Sequence, residues 1–411
     1  MNRDITILRD LAQQYAAAAA QPVQNERRAL WTRHNSRKQT RPLVLATFGM
    51  WNVWCRAVFA DERMQCRDPF YCGYERALRM LLFQDRIGDD SILEPWITVR
   101  AAVQGGWGKA WGVQQAHTMP GVEGGAWKFD PPIKAWRDVQ KLTAPAHVID
   151  EEATQREASR LHEAIGDILP INISRGPLCQ NFLADISTDI AQLRGLEQLM
   201  IDMYESPREL HALLAFMRDG IIANQAQAER AGDWGLADQH NQAVPYCEEL
   251  TPPAANVANQ PRKNLWYFCA AQEFTLISPA MHEEFMLRYQ LPIISAFGLS
   301  AYGCCEDLTK KIDMLRQIPN LRIIAVTPRA DVRRCAEQIG TDYVMSWRPN
   351  PTDMVCCGFD EALIRRTIRE GLAACKGCHV HVHLKDVETV EGAPERLAKW
   401  ARIVRDVADA C

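Results

Sequence analysis

CHVHVHLKD, residues 378–386, is the run whose reading decides the fold. Side chains alternate across a strand, so His379, His381, His383 and Lys385 share one face while Cys378, Val380, Val382 and Leu384 share the other. The apolar face needs helices to cover it, which turns the histidines and the lysine into the interior of a sheet wrapped on itself. His383 and Lys385 then lie nearest its C-terminal end. The same parity points Cys378 outward and counts against it as a ligand. The competing reading is an exposed strand with its polar face in water.

Upstream of this run the same unit recurs. Short apolar runs stand at RPLVLATFGMW (41–51), ILPINIS (168–174), WGLADQH (234–240), WYFCAAQ (266–272), IISAFGLSAYG (293–303), LRIIAVT (321–327) and DYVMSW (342–347), which with 378–384 makes eight. Amphipathic helical stretches separate most of them, several opening on Ser or Asp followed by Pro, as helix starts do. Eight β-then-α units predict an α/β protein built as one (β/α)8 barrel domain over 1–411, with an open doubly wound sheet as the runner-up. Residues 1–40 read as an N-terminal helical extension. The Gly-, Pro- and Trp-rich stretch 52–150 reads as a cap or insertion in the first loop.

Composition narrows the function. A chain of 411 residues that is 47% hydrophobic buries a large core, and 51 acidic against 47 basic residues, spread along the sequence, offer no basic stripe to a nucleic acid. No apolar run reaches the ~18 residues of a membrane span. The opening MNRDITILRDLAQQYAAAAAQ reads as an amphipathic helix rather than a signal peptide, so the expected location is the cytoplasm. Fourteen cysteines in such a chain read mostly as reduced, packed thiols. The adjacent pair Cys304-Cys305 is a different matter.

In a barrel of this kind the reactive groups follow the strand ends. Those positions hold Asn52, Arg175, Gln239 and His240, Gln272 and Glu273, Tyr302 to Glu306, Arg348 and Asn350, and His383 to Asp386. A thiolate at Cys304 or Cys305 would lie near a helix start, with Asp307 as its N-cap, where backbone dipoles favour ionisation. Together with Glu306 and with His383 or His240, these thiols suit a mixed S/N/O zinc site with an open position. If the strand ran on through 304 and 305, only one of the two thiols would face the interior. The plainer alternative is two packed thiols and a carboxylate paired with Lys310. Arg348, in the proline-fixed loop SWRPNP (346–351), can hold an anionic group.

The C-terminal half resembles the uroporphyrinogen decarboxylase superfamily, in particular a bacterial branch with YGCCE and LKD motifs. The resemblance rests on WYFCAAQEFTLISPAMHEEF (266–285), AYGCCEDLTKKIDMLRQIPNLRIIAVTPRADV (301–332), DYVMSWRPNP (342–351) and HLKDVETVEGAPERLAKWARIV (383–404), with GDDSILEPWITV (88–99) and YCEELTPP (246–253) upstream. It implies the barrel fold and one of two chemistries, metal-free porphyrinogen decarboxylation or zinc-dependent methyl transfer with corrinoid proteins. The decarboxylases' arginine-rich signature is reduced here to Arg56 within FGMWNVWCRAVF. The thiol methyltransferases' His-x-Cys is replaced by Tyr302-Gly303-Cys304-Cys305, so only a cysteine at that strand end carries over.

The leading expectation is therefore a methyltransferase working between a small methylated compound and a corrinoid (cobalamin) protein or a thiol. Zinc on Cys304, Cys305, Glu306 and His383 would serve as Lewis acid, Lys385 or Tyr302 would donate a proton, and Asp386 would stand beside them. Asn52, Arg175, His240, Gln272, Glu273, Arg348 and Asn350 would hold substrate. The alternatives are a decarboxylase using Arg56, Arg175 and Arg348 with Asp185 or Asp386, and a non-catalytic tetrapyrrole- or corrinoid-binding barrel.

Overall fold

The computed structural model describes residues 3–47, 55, 58–103, 109–118 and 128–410. Its strands are β1 (Leu43–Ala46), β2 (Ile97–Arg100), β3 (Ala116–Thr118), β4 (Lys128–Asp130), β5 (Ile171–Ser174), β6 (Trp266–Cys269), β7 (Leu299–Tyr302), β8 (Leu321–Val326), β9 (Val344–Trp347) and β10 (His379–Leu384). Six of them form one parallel sheet in the order β1-β10-β9-β8-β7-β6, β2 and β5 form a parallel pair, and β3 and β4 an antiparallel hairpin. Helices fill most connections between the parallel strands, as right-handed crossovers require.

Among the described residues the backbone ladder does not close into a ring. Contacts from loop residues flank the breaks instead. Beside β1, Asp89 accepts from the Ala46 amide at 2.7 Å and Asp90 from the Val44 amide at 2.8 Å. Between β5 and β6, Asp238 accepts from Ser174 Oγ at 2.5 Å, and the His240 amide reaches the Trp266 carbonyl at 3.3 Å. The arrangement is an α/β fold consistent with a (β/α)8 barrel.

Three expectations need correcting. WGLADQH is not a strand: Asp238 folds back to accept from the Gly235 amide at 2.8 Å, tightening Leu236–Asp238 into a 3-10 turn. A strand that the sequence hides in the supposed insertion, Ile97–Arg100, pairs with β5 and restores the count of eight parallel strands. The run 293–303 is a strand only from Leu299, because a helix extends to Ile294.

Parity along β10 follows the sequence. Val380, Val382 and Leu384 pack into the layer shared with Trp347, Trp400 and Val404. On the opposite side Trp266, Phe268, Leu299, Ala301, Ile323 and Val344 form an inner cluster, and Leu43 and Leu45 meet Trp31, Val244 and Tyr246 at the N-terminal end of the strands.

Candidate active site

Cys304 sits where β7 turns into its loop. Gly303 makes that turn with φ of 103°, and a Cβ there would stand 2.8 Å from Leu308 Cδ1 and 3.0 Å from Ala325 Cβ, so only glycine fits. Because the strand ends at Tyr302, the thiols need not face opposite ways. Their sulfurs approach to 3.5 Å, Cys304 buried and Cys305 exposed.

From β10, Lys385 reaches Cys304 Sγ at 3.5 Å while donating to both oxygens of Asp386 at 2.9 and 3.0 Å. Asp386 holds a left-handed backbone, φ 56°, a strained conformation for a non-glycine residue. A hydrogen bond from Cys305, then the charges of Lys385 and Arg348, outweigh burial and lower the Cys304 pKa well below that of an ordinary thiol. Donating to Cys304, together with burial, pushes the Cys305 pKa up. Of the two thiols, Cys304 is therefore the more readily ionised. A helix start contributes nothing to this, since Asp307 caps a turn at Thr309 and the next helix begins at Ile312.

The expected zinc ligands do not gather into one set. Glu306 is fully buried and spends both oxygens on backbone amides, Ala271 and Cys304, each at 2.8 Å. It clamps the loops after β6 and β7 together, and it forms no ion pair with Lys310. His383 places Nε2 2.9 Å from Thr47 Oγ1, and burial lowers its pKa far below the usual histidine value. Among the described residues no three His, Cys, Asp or Glu side chains form a metal-holding group. Lys385 and Arg348 also place positive charge beside the thiolate, where a zinc ion would add to it. The residues present do not fit the four-ligand centre.

Several other expected residues are committed elsewhere. Tyr302 points into the outer layer, where its hydroxyl donates to Gln290 Oε1 at 2.8 Å and meets His282 Nε2 at 2.9 Å; burial raises its pKa far above that of free tyrosine, so it is no proton donor at the strand ends. Arg175 is neutralised by Asp233 and Glu151, each at 2.6 Å. Asn350 caps the helix Pro351–Val355 through the Thr352 amide. Gln272 donates to Glu273 at 3.3 Å, and Glu273 accepts from Ser187 Oγ at 2.5 Å. Asp185 accepts from the Thr188 amide and hydroxyl, both at 2.9 Å. His240 lies 3.4 Å from Asn181, its pKa lowered to about 4 by burial. Asn52 and Arg56 fall outside the described residues.

Arg348 reaches across the strand ends, one Nη donating to the Cys304 carbonyl and the other to Gln242 Oε1 at 2.7 Å. Gln242 and Thr47 are the contacts that sequence reasoning missed. Gln242 lay in plain sight in the polar run QHNQ (239–242).

No protein-family model and no curated protein matches the chain. Among solved structures it is similar to a methyltransferase from Methanosarcina mazei, at 13% identity and a TM-score of 0.54, over 93% of this chain and 98% of that one. At that identity the likeness speaks to the fold.

Proposed function

We propose that the chain is a methyltransferase that moves a methyl group between a small methylated compound and a corrinoid protein or a thiol, within the uroporphyrinogen decarboxylase superfamily that its YGCCE and LKD motifs resemble. The observation that carries this reading is the Cys304 sulfur held 3.5 Å from Lys385 Nζ at the C-terminal strand ends. The fold, shared in outline with a methyltransferase, supports it.

In demethylation the bond from the methyl carbon to the substrate's O, N or S atom breaks, and the electron pair stays on that atom. Lys385, oriented by Cys304 and Asp386, donates the proton that the leaving atom needs. A corrinoid on a partner protein would supply the electron-rich cobalt that takes the methyl carbon. No step is routed through zinc. The decarboxylase reading loses support because Arg175, one of its three arginines, is already neutralised.

The test is decay of the cob(I)alamin absorbance on mixing with the protein and a panel of O-, N- and S-methylated compounds. Transfer should occur with at least one, and Lys385→Met should cut kcat by about 100-fold or more, the usual scale of a lost general acid. No transfer from any compound, to cobalamin or to thiols, would end this reading.

A further inference from the structure

Arg348 is buried, 4% exposed, yet among the described residues no carboxylate lies within ion-pairing distance of it. Other buried arginines here differ: Arg194 is held by Asp202 at 2.6 Å and Arg322 by Glu249 at 2.7 Å. A buried guanidinium without a carboxylate partner is costly, and hydrogen bonds to the Cys304 carbonyl and the Gln242 amide occupy only its two Nη atoms. The neighbouring thiolate is shared with Lys385.

Unpartnered polar atoms belong to it and to its neighbours along β9 and β10. Arg348 Nε, Ser346 Oγ, His381 Nε2 and His383 Nδ1 are all buried without a hydrogen-bond partner. Their side chains share one face, because Ser346 is in register with His381 and the next inward positions along the two strands are Arg348 and His383. An orphaned buried polar atom loses its hydration without a replacement partner. Four together, at a buried guanidinium that no carboxylate pairs among the described residues, describe a receptor for a compact anion with hydrogen-bonding oxygens. The bond from Arg348 to the Cys304 carbonyl places this receptor directly beside the thiolate.

We propose that Arg348, with Ser346 and His383, binds a carboxylate, so that the methylated substrate is a small carboxylic acid whose other end reaches Cys304 and Lys385. The word substrate rests on the methyltransferase reading; the carboxylate site does not.

Iodoacetate and its neutral counterpart iodoacetamide test this directly. In either reaction the thiolate displaces iodide, forming C–S as C–I breaks. Peptide mass spectrometry of the full chain gives the rates at Cys304, with the exposed Cys357 as internal reference. Relative to Cys357, Cys304 should react at least ~10-fold faster with iodoacetate than with iodoacetamide, the factor expected from ~1.4 kcal/mol of carboxylate binding. Arg348→Met should abolish that preference. Should the variant not fold, the wild type still decides: methoxyacetate should slow iodoacetamide at Cys304 and methoxyacetamide should not. Equal reactivity, no reaction of Cys304 with either reagent, or protection by both compounds alike would overturn the site. A preference for iodoacetate without methyl transfer would keep the site and sink the methyltransferase. Transfer from neutral compounds alone, without the preference, would do the reverse.

Discussion

Lys385 and Cys304 come from strands far apart in sequence, and their meeting sets the chemistry available at the strand ends. The lowered pKa of Cys304 has a direct consequence for reactivity. Alkylation requires the thiolate, so its rate rises with pH through the thiol's pKa. For Cys304 the midpoint should lie well below the ~8.5 of a free thiol, and Lys385→Met, by removing a nearby positive charge, should move it upward. Rates of alkylation at Cys304 against pH, read peptide by peptide, check both. A midpoint near 8.5 in the wild type would contradict the ion pair. At this scale the sequence was partly legible. Strand parity alone turned His383 and Lys385 inward, and reading the strand ends singled out the 304–305 pair, whose sulfurs lie 3.5 Å apart. It could not say that Tyr302 faces outward, that Asn350 is a helix cap, or that Glu306 serves backbone amides, because each follows from where one strand stops and which way one loop turns.

Between residue and molecule lie the loops after β6 and β7, which Glu306 joins by accepting the Ala271 and Cys304 amides. A carboxylate used in this way is structural, and removing it orphans two buried N–H groups at ~1–3 kcal/mol each. Glu306→Ala should therefore cost about 2–5 kcal/mol in urea unfolding, by the same amount with and without a zinc chelator. A loss that appears only without chelator would restore Glu306 as a metal ligand. The same scale shows where strand reading failed. ITVR (97–100) is four residues in a stretch crowded with Gly, Pro and Trp, too short for its alternation to stand out. WGLADQH has the apolar content of a strand but carries Gly235 and Asp238, whose mutual hydrogen bond favours a turn. The apolar runs of β8 and β10 were legible because their outer faces pack under helices along their length.

At the scale of the molecule, the N-terminal helices are the floor of the parallel strands rather than an appendage. Helix Pro22–Asn35 presents Trp31, His34 and Asn35 to the strands' N-terminal end, all essentially without solvent contact. Trp31 packs on Leu43 and Leu45 and donates its indole N–H to the Asp90 carbonyl at 2.7 Å. His34 Nε2 lies 3.0 Å from His381 Nδ1, and Asn35 donates to the Val244 and Tyr246 carbonyls at 2.6 and 3.0 Å. The polar inner face of β10 is thus closed from below by this helix, while its other end carries Lys385 to the thiolate. Losing the floor should therefore be felt globally. Trp31→Ala leaves a cavity and an unpaired carbonyl, and should cost ~3–5 kcal/mol in urea unfolding, the range for burying an aromatic and then truncating it. Deleting residues 1–40 should abolish cooperative unfolding, since Leu43, Leu45 and His381 would face water. If the shortened chain still unfolded in one steep transition near the wild-type midpoint, the strands would be self-sufficient and the helix an accessory.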